Sequence, residues 1–349
     1  MRVLGIETSC DETSAAVVEE TGHAERPWTI RSNVIASQVP IHREWGGVVP
    51  ELASRQHIRD ICGVVDRALT DAGTAWPDLD AVAVTQGPGL VGSLLVGVAF
   101  AKAAAAAANL PVVGVHHLAG HIESLVLHNG EMPLPAVVLV VSGGHTSLYL
   151  VDRPGHYVVL SRTRDDAAGE AYDKVAKLLG LGYPGGPVID RLAKRGNDRA
   201  IPLPTTRLTH ADRNAPHVKG DLDFSFSGLK TAVLRYVRAH PEPLSEAEIA
   251  DLAASFQRIV VTVLIERLFD AARRYQALSV GIAGGVSANS RLRADLQARG
   301  AAREVPTFVP SLQLSTDNAA MIAAAGLRKL RAGVTSALDI NADASLPLT

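Results

Sequence analysis

Two histidines near the end of the first third of the chain have the spacing of a metal-binding pair. His117 and His121 are four residues apart and follow an apolar run, residues 110–115, that predicts a strand. Their own segment has the composition of the first turns of a helix, where residues four apart lie on one face. Two imidazoles on one helical face can bind a single metal ion. The pair alone also fits two hydrogen-bonded histidines at a strand–helix junction.

A polar turn near the start of the chain carries several carboxylates. Residues 2–6 and 13–18 predict two strands, and residues 7–12 between them read Glu-Thr-Ser-Cys-Asp-Glu. Hydroxyls and backbone N–H groups in a tight turn suit a phosphate. Carboxylates suit a cation or an amine instead, which makes Glu12 a candidate catalytic residue.

The second half of the chain repeats this arrangement. Residues 136–141 and 147–152 predict two more strands around the turn Ser142-Gly143-Gly144-His145-Thr146. Ser142 and His145 are further candidate catalytic residues. Strand, polar turn and strand therefore occur twice, which indicates a duplicated core.

A glycine-rich segment matches the fingerprint of a dinucleotide-binding turn. Residues 87–92 read Gly-Pro-Gly-Leu-Val-Gly and lie between a predicted strand, residues 81–85, and an alanine-rich helix. Pro88 lacks the N–H group that a phosphate would need, and the next strand ends at His116 instead of an acidic residue. We therefore expect these glycines to allow close packing of helix and strand, without binding a dinucleotide.

The composition limits the class of protein. At 349 residues the chain is long enough for two lobes, and its net charge of −2 means that any nucleic-acid partner needs a local basic patch or a second protein. Cys10 and Cys62 are the only cysteines, too few for a disulfide framework or a thiolate metal site. The apolar segment 94–110 contains Lys102 and many alanines, which predicts a buried helix. No secretion signal is recognisable, so we expect a soluble, cytoplasmic protein without membrane association.

Six motifs occur in series along the chain. They are His-His-x-x-Gly-His from residue 116, Val-Ser-Gly-Gly-His-Thr from 141, Asp-Asp-Ala-Ala-Gly-Glu-Ala-Tyr-Asp-Lys from 165, Phe-Ser-Phe-Ser-Gly-Leu-Lys from 224, Gly-Gly-Val-Ser-Ala-Asn from 284, and Ser-Thr-Asp-Asn-Ala-Ala-Met from 315. In this order they resemble the motifs of the tRNA N6-adenosine threonylcarbamoyltransferases, formerly known as O-sialoglycoprotein endopeptidases. The resemblance extends from Arg2 to about Ala332.

The resemblance implies a fold and its boundaries. It implies the two-lobed α/β fold of actin, hexokinase and acetate kinase, with a duplicated core and a nucleotide-binding cleft between the lobes. We expect residues 1–112 and about 311–335 in the first lobe, and residues 113–310 in the second. The second lobe would contain an inserted helical and irregular region at about 165–245. Residues 336–349, whose hydrophobic periodicity is low, are expected to fray.

The resemblance also implies the site residues. The metal ligands would be His117, His121 and Asp317. The adenylate would be lined by Val140, Val141, Ser142, Gly143, Gly144, Asp173, Gly186, Asp190 and Asn289. Two nitrogens and one oxygen suit Fe²⁺ and Zn²⁺ about equally, and the resemblance favours iron.

The implied reaction transfers a threonylcarbamoyl group from threonylcarbamoyl-AMP to the N6 amine of an adenosine. That adenosine lies next to the anticodon in tRNAs that read codons beginning with A. A metal acting as a Lewis acid and backbone donors of glycine turns would stabilise the charges that develop. Related bacterial enzymes usually work with a paralogous subunit of the same fold and a small P-loop ATPase, and a separate enzyme makes the adenylate.

Two other activities fit the sequence less well. A zinc peptidase helix reads His-Glu-x-x-His, but Leu118 follows His117 and Gly120 precedes His121, so a general base is missing there. A kinase or ATPase of the same fold has no role for a two-histidine metal site.

Two basic stretches are candidates for the surface that binds tRNA. The irregular segment 203–219 contains Arg207, Arg213 and Lys219, and the face of a predicted helix carries Arg55 and Arg59. These side chains either contact phosphates or a partner protein, or form an ordinary solvated surface.

Overall fold

Two five-stranded sheets form the framework of the chain, one in each of two units. The structure, a computed structural model, describes residues 1–205, 208 and 220–348. Unit 1 comprises Met1–Met132, Arg153–Tyr157 and Pro310–Thr349, and unit 2 comprises Pro133–Asp152 and Val158–Val309.

Unit 1 is a sheet covered on both faces by helices. Its elements are β1 (Arg2–Glu7), β2 (Glu12–Glu20), β3 (Trp28–Ser37), α1 (Val39–Arg43), α2 (Pro50–Ala72), β4 (Ala81–Gly87), α3 (Val91–Ala108), β5 (Val112–His116), α4 (His117–Asn129), α10 (Leu312–Ser315) and α11 (Ala319–Arg331). The strand order is β3-β2-β1-β4-β5, with β1 antiparallel to β2 and parallel to β4. Alternate residues of β1 pack against α11 on one face and against α2 and α3 on the other. Both faces of β1 are therefore buried.

Unit 2 is built on the same plan. Its elements are β6 (Ala136–Val141), β7 (Thr146–Arg153), β8 (His156–Arg162), α5 (Ala168–Leu178), α6 (Gly185–Ala193), α7 (Ser227–Ala239), α8 (Glu246–Arg274), β9 (Ser279–Ala283), α9 (Ser290–Arg303) and β10 (Thr307–Phe308). The strand order is β10-β9-β6-β7-β8, with β6 antiparallel to β7 and parallel to β9. The long helix α8 begins with a capping box of Ser245 and Glu248.

The duplicated core is confirmed by these two sheets. In each, a central strand pairs with an antiparallel hairpin partner on one side and a parallel strand on the other. The sequence pattern does not predict β3 and β8. Both are edge strands with mixed burial patterns, so apolar residues do not alternate cleanly along them.

Two expected boundaries differ from the structure. Residues 113–132 belong to unit 1, not to the second lobe, because β5 completes the first sheet and α4 packs against α11. Residues 336–348 do not fray. Ser336 pairs with Val112, and the side chain of Ile340 is only 9 % exposed.

The expectations for the alanine-rich helix and the glycine segment also need correction. Only 33 % of α3 is buried, so it is not a core helix, although it is long and apolar enough to cross a membrane. Gly87 and Gly89 do not serve helix–strand packing. Gly87 lies against the backbone of Asp343, and Gly89 lies against the backbone of Ser9.

Candidate metal centre and nucleotide pocket

The three predicted metal ligands come together within unit 1. His117 is the first residue of α4, and His121 lies one turn later on the same face, with the ring centroids 4.7 Å apart. Asp317 precedes Asn318, whose side chain caps α11 by accepting from the N–H of Met321. The starts of two packed helices therefore place the three side chains side by side.

Their separations fit one metal ion. One ligand atom from each residue lies within 4.8 Å of the others. Asp317 Oδ1 is 3.2 Å from His121 Nε2 and 3.6 Å from His117 Nε2. Metal–ligand bonds of about 2.1 Å place neighbouring ligand atoms of a tetrahedral site about 3.4 Å apart. The triad needs little rearrangement to reach that geometry.

His121 provides an independent test of this assignment. Its side chain is fully buried, and apart from the 3.2 Å contact of Nε2 with Asp317 Oδ1 its ring nitrogens meet no polar partner in the described part of the chain. An unsatisfied buried polar group costs about 1–3 kcal/mol. A metal ion on Nε2 removes part of that cost, so the residues fit the group.

Glu7 orients His117 from the side opposite Asp317. The Nδ1–H of His117 donates to Glu7 Oε2 at 3.0 Å, and Ser9 Oγ lies 3.2 Å from the same nitrogen. Glu7 also accepts from Thr85 Oγ1 at 2.7 Å and from the N–H of Ser9 at 2.5 Å. Proton donation from Nδ1 leaves Nε2 as the metal-binding atom. The sequence gives no sign of this role for Glu7, because β1 and α4 are remote along the chain.

The carboxylates control the charges of this cluster. Burial disfavours the protonated form of His117, but Asp317 and Glu7 outweigh it and raise its pKa to about 9. Burial likewise opposes ionisation of Glu7, yet the pKa of Glu7 is lowered because His117 lies beside it. For His121, burial dominates and lowers the pKa. The site thus attracts one positive charge, which a metal ion can supply.

Glu12 is the last residue of the turn at residues 7–12, which begins with Glu7. Burial, followed by the neighbouring carboxylates of Asp11 and Asp317, raises the pKa of Glu12 well above its usual range. Its Oε1 accepts from Ser37 Oγ at 3.3 Å. In these surroundings the Glu12 carboxyl group holds a proton more tightly than an ordinary glutamic acid does.

Buried, hydrogen-bonded side chains support the turn at residues 7–12. His57 Nε2–H donates to the carbonyl of Cys10 at 3.0 Å, and Thr13 Oγ1 donates to His57 Nδ1 at 2.8 Å. Gln38 continues the chain to His42, with 3.2 Å between Gln38 Oε1 and His42 Nε2. Burial lowers the pKa of His57, which keeps the ring neutral and its donor and acceptor distinct.

Unit 2 contains a pocket of about 530 Å³ that includes many of the residues predicted to bind the adenylate. Its lining comprises Gly143, Gly169, Tyr172, Asp173, Pro184, Gly186, Pro187, Asp190, Arg191, Lys194, Gly285, Val286, Ala288 and Asn289. The volume is in the range of small-molecule and cofactor sites.

Three glycines leave part of this pocket open. A Cβ built on Gly143, Gly186 or Gly285 would have no atom of the described residues within 4 Å. A side chain at any of these positions would therefore occupy free space without disturbing the packing. Such positions let a ligand approach the backbone closely.

The polar residues of the pocket are held in place by hydrogen bonds. Asp173 accepts from the N–H of Gly185 at 2.7 Å, and Asp190 accepts from Ser290 Oγ at 2.9 Å. Asn289 caps α9 and donates to Gln257 Oε1 at 2.8 Å. Both aspartates line the pocket, and carboxylate oxygens can accept from ligand hydroxyls.

The structure places the remaining predicted residues next to this pocket or beneath it. Val140 and Val141 are fully buried in β6 and do not line it. Ser142 and Gly144 lie in the turn after β6, where Ser142 Oγ accepts from the N–H of His145 at 3.2 Å. Tyr172, Arg191 and Lys194 also line the pocket, although the sequence motifs do not assign them a role. Tyr172 and Arg191 directly adjoin Asp173 and Asp190 in the sequence, and Lys194 follows Asp190 by four residues, so position along the chain is the signal that points to them.

The structure describes only two of the five predicted RNA-binding residues, Arg55 and Arg59. Arg207, Arg213 and Lys219 lie outside the described residues. Arg55 and Arg59 are exposed on α2, and Arg55 pairs with Glu51 at 2.6 Å. Their role in RNA binding stays a prediction.

A family model and the relatives of this chain agree on one protein family. A family model described as tRNA N6-adenosine threonylcarbamoyltransferase matches residues 29–324. A relative with this description from Anaeromyxobacter dehalogenans is 54 % identical, over 98 % of each chain. Another from Moorella thermoacetica is 50 % identical, over 99 % of this chain and 97 % of its own.

Solved structures resemble the chain in fold. The activator of the 2-hydroxyisocaproyl-CoA dehydratase from Clostridium difficile, with bound ADPNP, has a TM-score of 0.50 at 13 % identity, covering 97 % of this chain and 99 % of its own. Full-length HypF in its phosphate- and nucleotide-bound form has a TM-score of 0.58 at 13 % identity, covering 95 % and 55 %. With the duplicated sheets, these similarities confirm the predicted α/β fold class.

Proposed function

The chain belongs to the tRNA N6-adenosine threonylcarbamoyltransferase family, and from this premise we propose how its two sites divide the reaction. The enzyme transfers the threonylcarbamoyl group of threonylcarbamoyl-AMP to the N6 amine of the adenosine next to the anticodon in tRNAs reading ANN codons. Unit 1 supplies the metal centre and unit 2 supplies the adenylate pocket. The observation that carries the metal assignment is the convergence of one ligand atom each from His117, His121 and Asp317 within 4.8 Å, with the His121 side chain fully buried.

His117, His121 and Asp317 would hold one divalent ion and leave coordination positions open for substrate oxygens. When bound, the ion supplies Lewis-acid stabilisation of the negative charge that develops on the carbamoyl oxygen. Glu7 fixes the orientation of His117 through Nδ1. The donor set suits Fe²⁺ and Zn²⁺ alike, and we favour Fe²⁺ because of the family resemblance.

The unit 2 pocket would bind the adenylate. Asp173 and Asp190 are placed to accept from ribose hydroxyls, and the open backbone at Gly186 and Gly285 admits the adenosine. AMP leaves the carbamoyl carbon as an anion. The positive charges of Arg191 and Lys194 in the lining stabilise the negative charge of this leaving group. We keep Ser142 to Gly144 as the predicted phosphate position.

The amine must lose a proton when the new bond forms. Glu12 is our candidate acceptor, because it lies in the turn beside the metal centre and its carboxyl group is buried among other carboxylates. Ser142 and His145 remain alternatives from unit 2.

Neither competing activity is favoured. Leu118 and Gly120 are both buried in α4, and no carboxylate lies between the two histidines to act as the general base of a metallopeptidase. A kinase or ATPase would leave the histidine pair without a role.

We propose that a paralogous subunit of the same fold covers the exposed face of α2 and α3. The apolar side chains of Ile58 on α2 and of Val91 and Leu95 on α3 are 64 %, 56 % and 45 % exposed. The other partners implied are tRNA and a small P-loop ATPase, and the expected location is the cytoplasm. Loss of complex formation with the recombinant paralogue on replacing Leu95 by Glu would support this face.

The central experiment measures threonylcarbamoyladenosine in tRNA from cells that lack the protein and are complemented with variants. We expect the nucleoside to disappear without the protein and to return with the wild type but not with His121→Ala. His128→Ala is the matched control, because His128 is exposed on the same helix. Purified His121→Ala should also lack stoichiometric metal. Full metal occupancy in that variant would contradict the metal assignment.

A further inference from the structure

We propose that residues 336–348 form a C-terminal strap that positions the metal-binding helix α4 by holding His116. This inference rests on the proposed function, because it concerns the order of the proposed metal centre. His116 is a positioning residue in this scheme, not a ligand.

The strap begins beside β5. The N–H of Ser336 donates to the carbonyl of Val112 at 2.8 Å, and Ser336 Oγ accepts from the N–H of Gly114 at 3.0 Å. Further along, the carbonyl of Ile340 accepts from Lys102 Nζ at 3.0 Å, and its side chain packs into the core beneath α3. The strap is therefore anchored to the strand that leads directly into α4.

The strap then crosses the glycine segment that resembled a dinucleotide-binding turn. The N–H of Asp343 donates to the carbonyl of Gln86 at 2.9 Å. A Cβ on Gly87 would lie only 1.8 Å from the carbonyl oxygen of Asp343, a distance that no real contact allows. Gly87 is thus required where the strap passes, and this explains a motif that nucleotide binding does not.

His116 joins the strap to the first turn of α4. Its Nδ1 accepts from the N–H of Leu118 at 3.1 Å, which makes it the N-cap of the helix. The other nitrogen, Nε2, therefore carries the proton and donates to the carbonyl of Leu346 at 2.9 Å. One imidazole ring fixes both the strap and the helix start.

The position of this ring matters for the metal ligands. His117 follows directly in the chain, and His116 pairs with Gly87 across the sheet. Metal sites require ligand positions that are correct within a fraction of an ångström, and partners beyond the ligands commonly change metal affinity about 10–100-fold. Release of the strap should therefore weaken metal binding without removing any ligand.

The first test is a double-mutant cycle with Co²⁺ as the probe, its affinity measured by competition with a chelator. Gly87→Ala is introduced into the full chain and into a chain that ends at residue 335. We expect Gly87→Ala and the truncation each to weaken Co²⁺ binding about tenfold, and their combination to be no weaker than the truncation alone. Gly63→Ala, where a Cβ meets nothing in the described part of the chain, is the matched control.

The second test separates the strap contact from the helix cap. In His116→Asn the side chain can still cap α4, but it is too short to reach Leu346. We expect weaker Co²⁺ binding and faster hydrogen exchange at residues 112–121. If the truncated chain fails to fold, the two full-length single variants His116→Asn and Gly87→Ala test the strap instead.

Equal Co²⁺ affinity in the wild type, Gly87→Ala and His116→Asn would overturn the strap while leaving the metal centre intact. An equal loss of Co²⁺ affinity from Gly87→Ala in the full and the truncated chain would also overturn it. The effect of the substitution would then not depend on the strap. If the wild type itself bound no Co²⁺, the metal assignment would fail. Hydrogen exchange in His116→Asn would then decide the strap, and unchanged exchange at residues 112–121 would refute it.

Discussion

At the scale of single residues, the His117 ring connects two carboxylates with different tasks. Asp317 lies on the Nε2 side with the candidate metal position, whereas Glu7 lies on the Nδ1 side and sets the proton position of the ring. Glu7 is itself fixed by Thr85 and by the backbone of Ser9. The order of the metal centre therefore depends on a residue that is not a ligand.

Glu7→Gln is expected to weaken metal binding about tenfold while keeping the fold, because an amide is a poorer acceptor for the His117 Nδ1–H than a carboxylate. Chelator competition with Co²⁺ or Zn²⁺ measures the change. Glu44→Gln, at an exposed position, serves as the control. Wild-type affinity in Glu7→Gln would show that Glu7 does not orient the ligand.

Gly186→Ala is expected to separate ligand binding from stability. The new methyl group points into open space of the unit 2 pocket, so AMP binding measured by calorimetry should weaken about tenfold. Because alanine favours helices over glycine by up to about 1 kcal/mol, the free energy of unfolding should not fall.

The control for this variant is Gly63→Ala, another helical glycine with open space among the described residues, which should leave AMP binding unchanged. Undiminished AMP affinity in Gly186→Ala would move the nucleotide away from this wall of the pocket.

At the scale of elements, a buried ion pair clamps α4 to α11. Arg328 donates to both carboxylate oxygens of Glu123, at 2.6 and 2.9 Å, and Glu123 also accepts from Trp28 Nε1 and Tyr157 OH at 3.3 Å. Nearer the metal centre, a Cβ on Gly120 would lie 2.8 Å from Ile322 Cδ1, so the helices approach closely there. The clamp and the close approach together fix the distance between the histidines and Asp317.

Arg328→Met should lower the free energy of unfolding by about 3–5 kcal/mol, because Glu123 would remain buried without its positive partner. Urea denaturation measures this change. Adding Glu123→Gln should restore much of the loss, since the second substitution removes the uncompensated charge.

Arg331→Met on the same helix is the control. Its ion pair with Glu20 spans 3.3 Å and its side chain is 50 % exposed, so we expect a change of about 0–1 kcal/mol. A similar small change in Arg328→Met would show that the clamp contributes little to stability.

Two of the sequence motifs have a structural explanation at this scale. Asp165 accepts from the N–H groups of Phe226 and Ser227 at the start of α7, at 2.8 and 3.2 Å. Asp166 pairs with Lys174 at 2.8 Å and with Lys230 at 2.7 Å. The motifs at residues 165–174 and 224–230 therefore hold α5 and α7 together. Sequence alone could identify both motifs but not their contact.

At the scale of the whole molecule, charge limits how the enzyme binds RNA. The net charge of −2 gives little general attraction to a polyanion. Binding must therefore depend on a few basic residues or on partner proteins.

Replacing Arg207, Arg213 and Lys219 together by alanine should weaken tRNA binding and flatten its salt dependence, because phosphate contacts release counterions. Affinity is to be measured at several salt concentrations with the partner proteins present. Removing Arg55 and Arg59 in parallel compares the second predicted surface. Unchanged affinity and salt slope in the triple variant would exclude the segment from the RNA site.

How much of this molecule the sequence could predict depended on distance along the chain. His117 and His121 followed from helical spacing, and the paired hairpins followed from short apolar runs. Asp317 depended on the family resemblance, because no local pattern links it to α4. Glu7, Arg328 and the strap could not be inferred at all, since their contacts arise only when β1, α11 and residues 336–348 pack together.

The position of α11 near the end of the chain has a consequence for synthesis on the ribosome. Strands β1, β4 and β5 are complete by His116, but the helix that covers one face of their sheet begins at Ala319. At about 5–20 residues per second, roughly 200 further residues take on the order of 10–40 s to emerge. During that interval all the strands and helices of unit 2 are synthesised, while one apolar face of the unit 1 sheet still lacks α11. The first sheet to be synthesised is therefore the last to be completed by its covering helix.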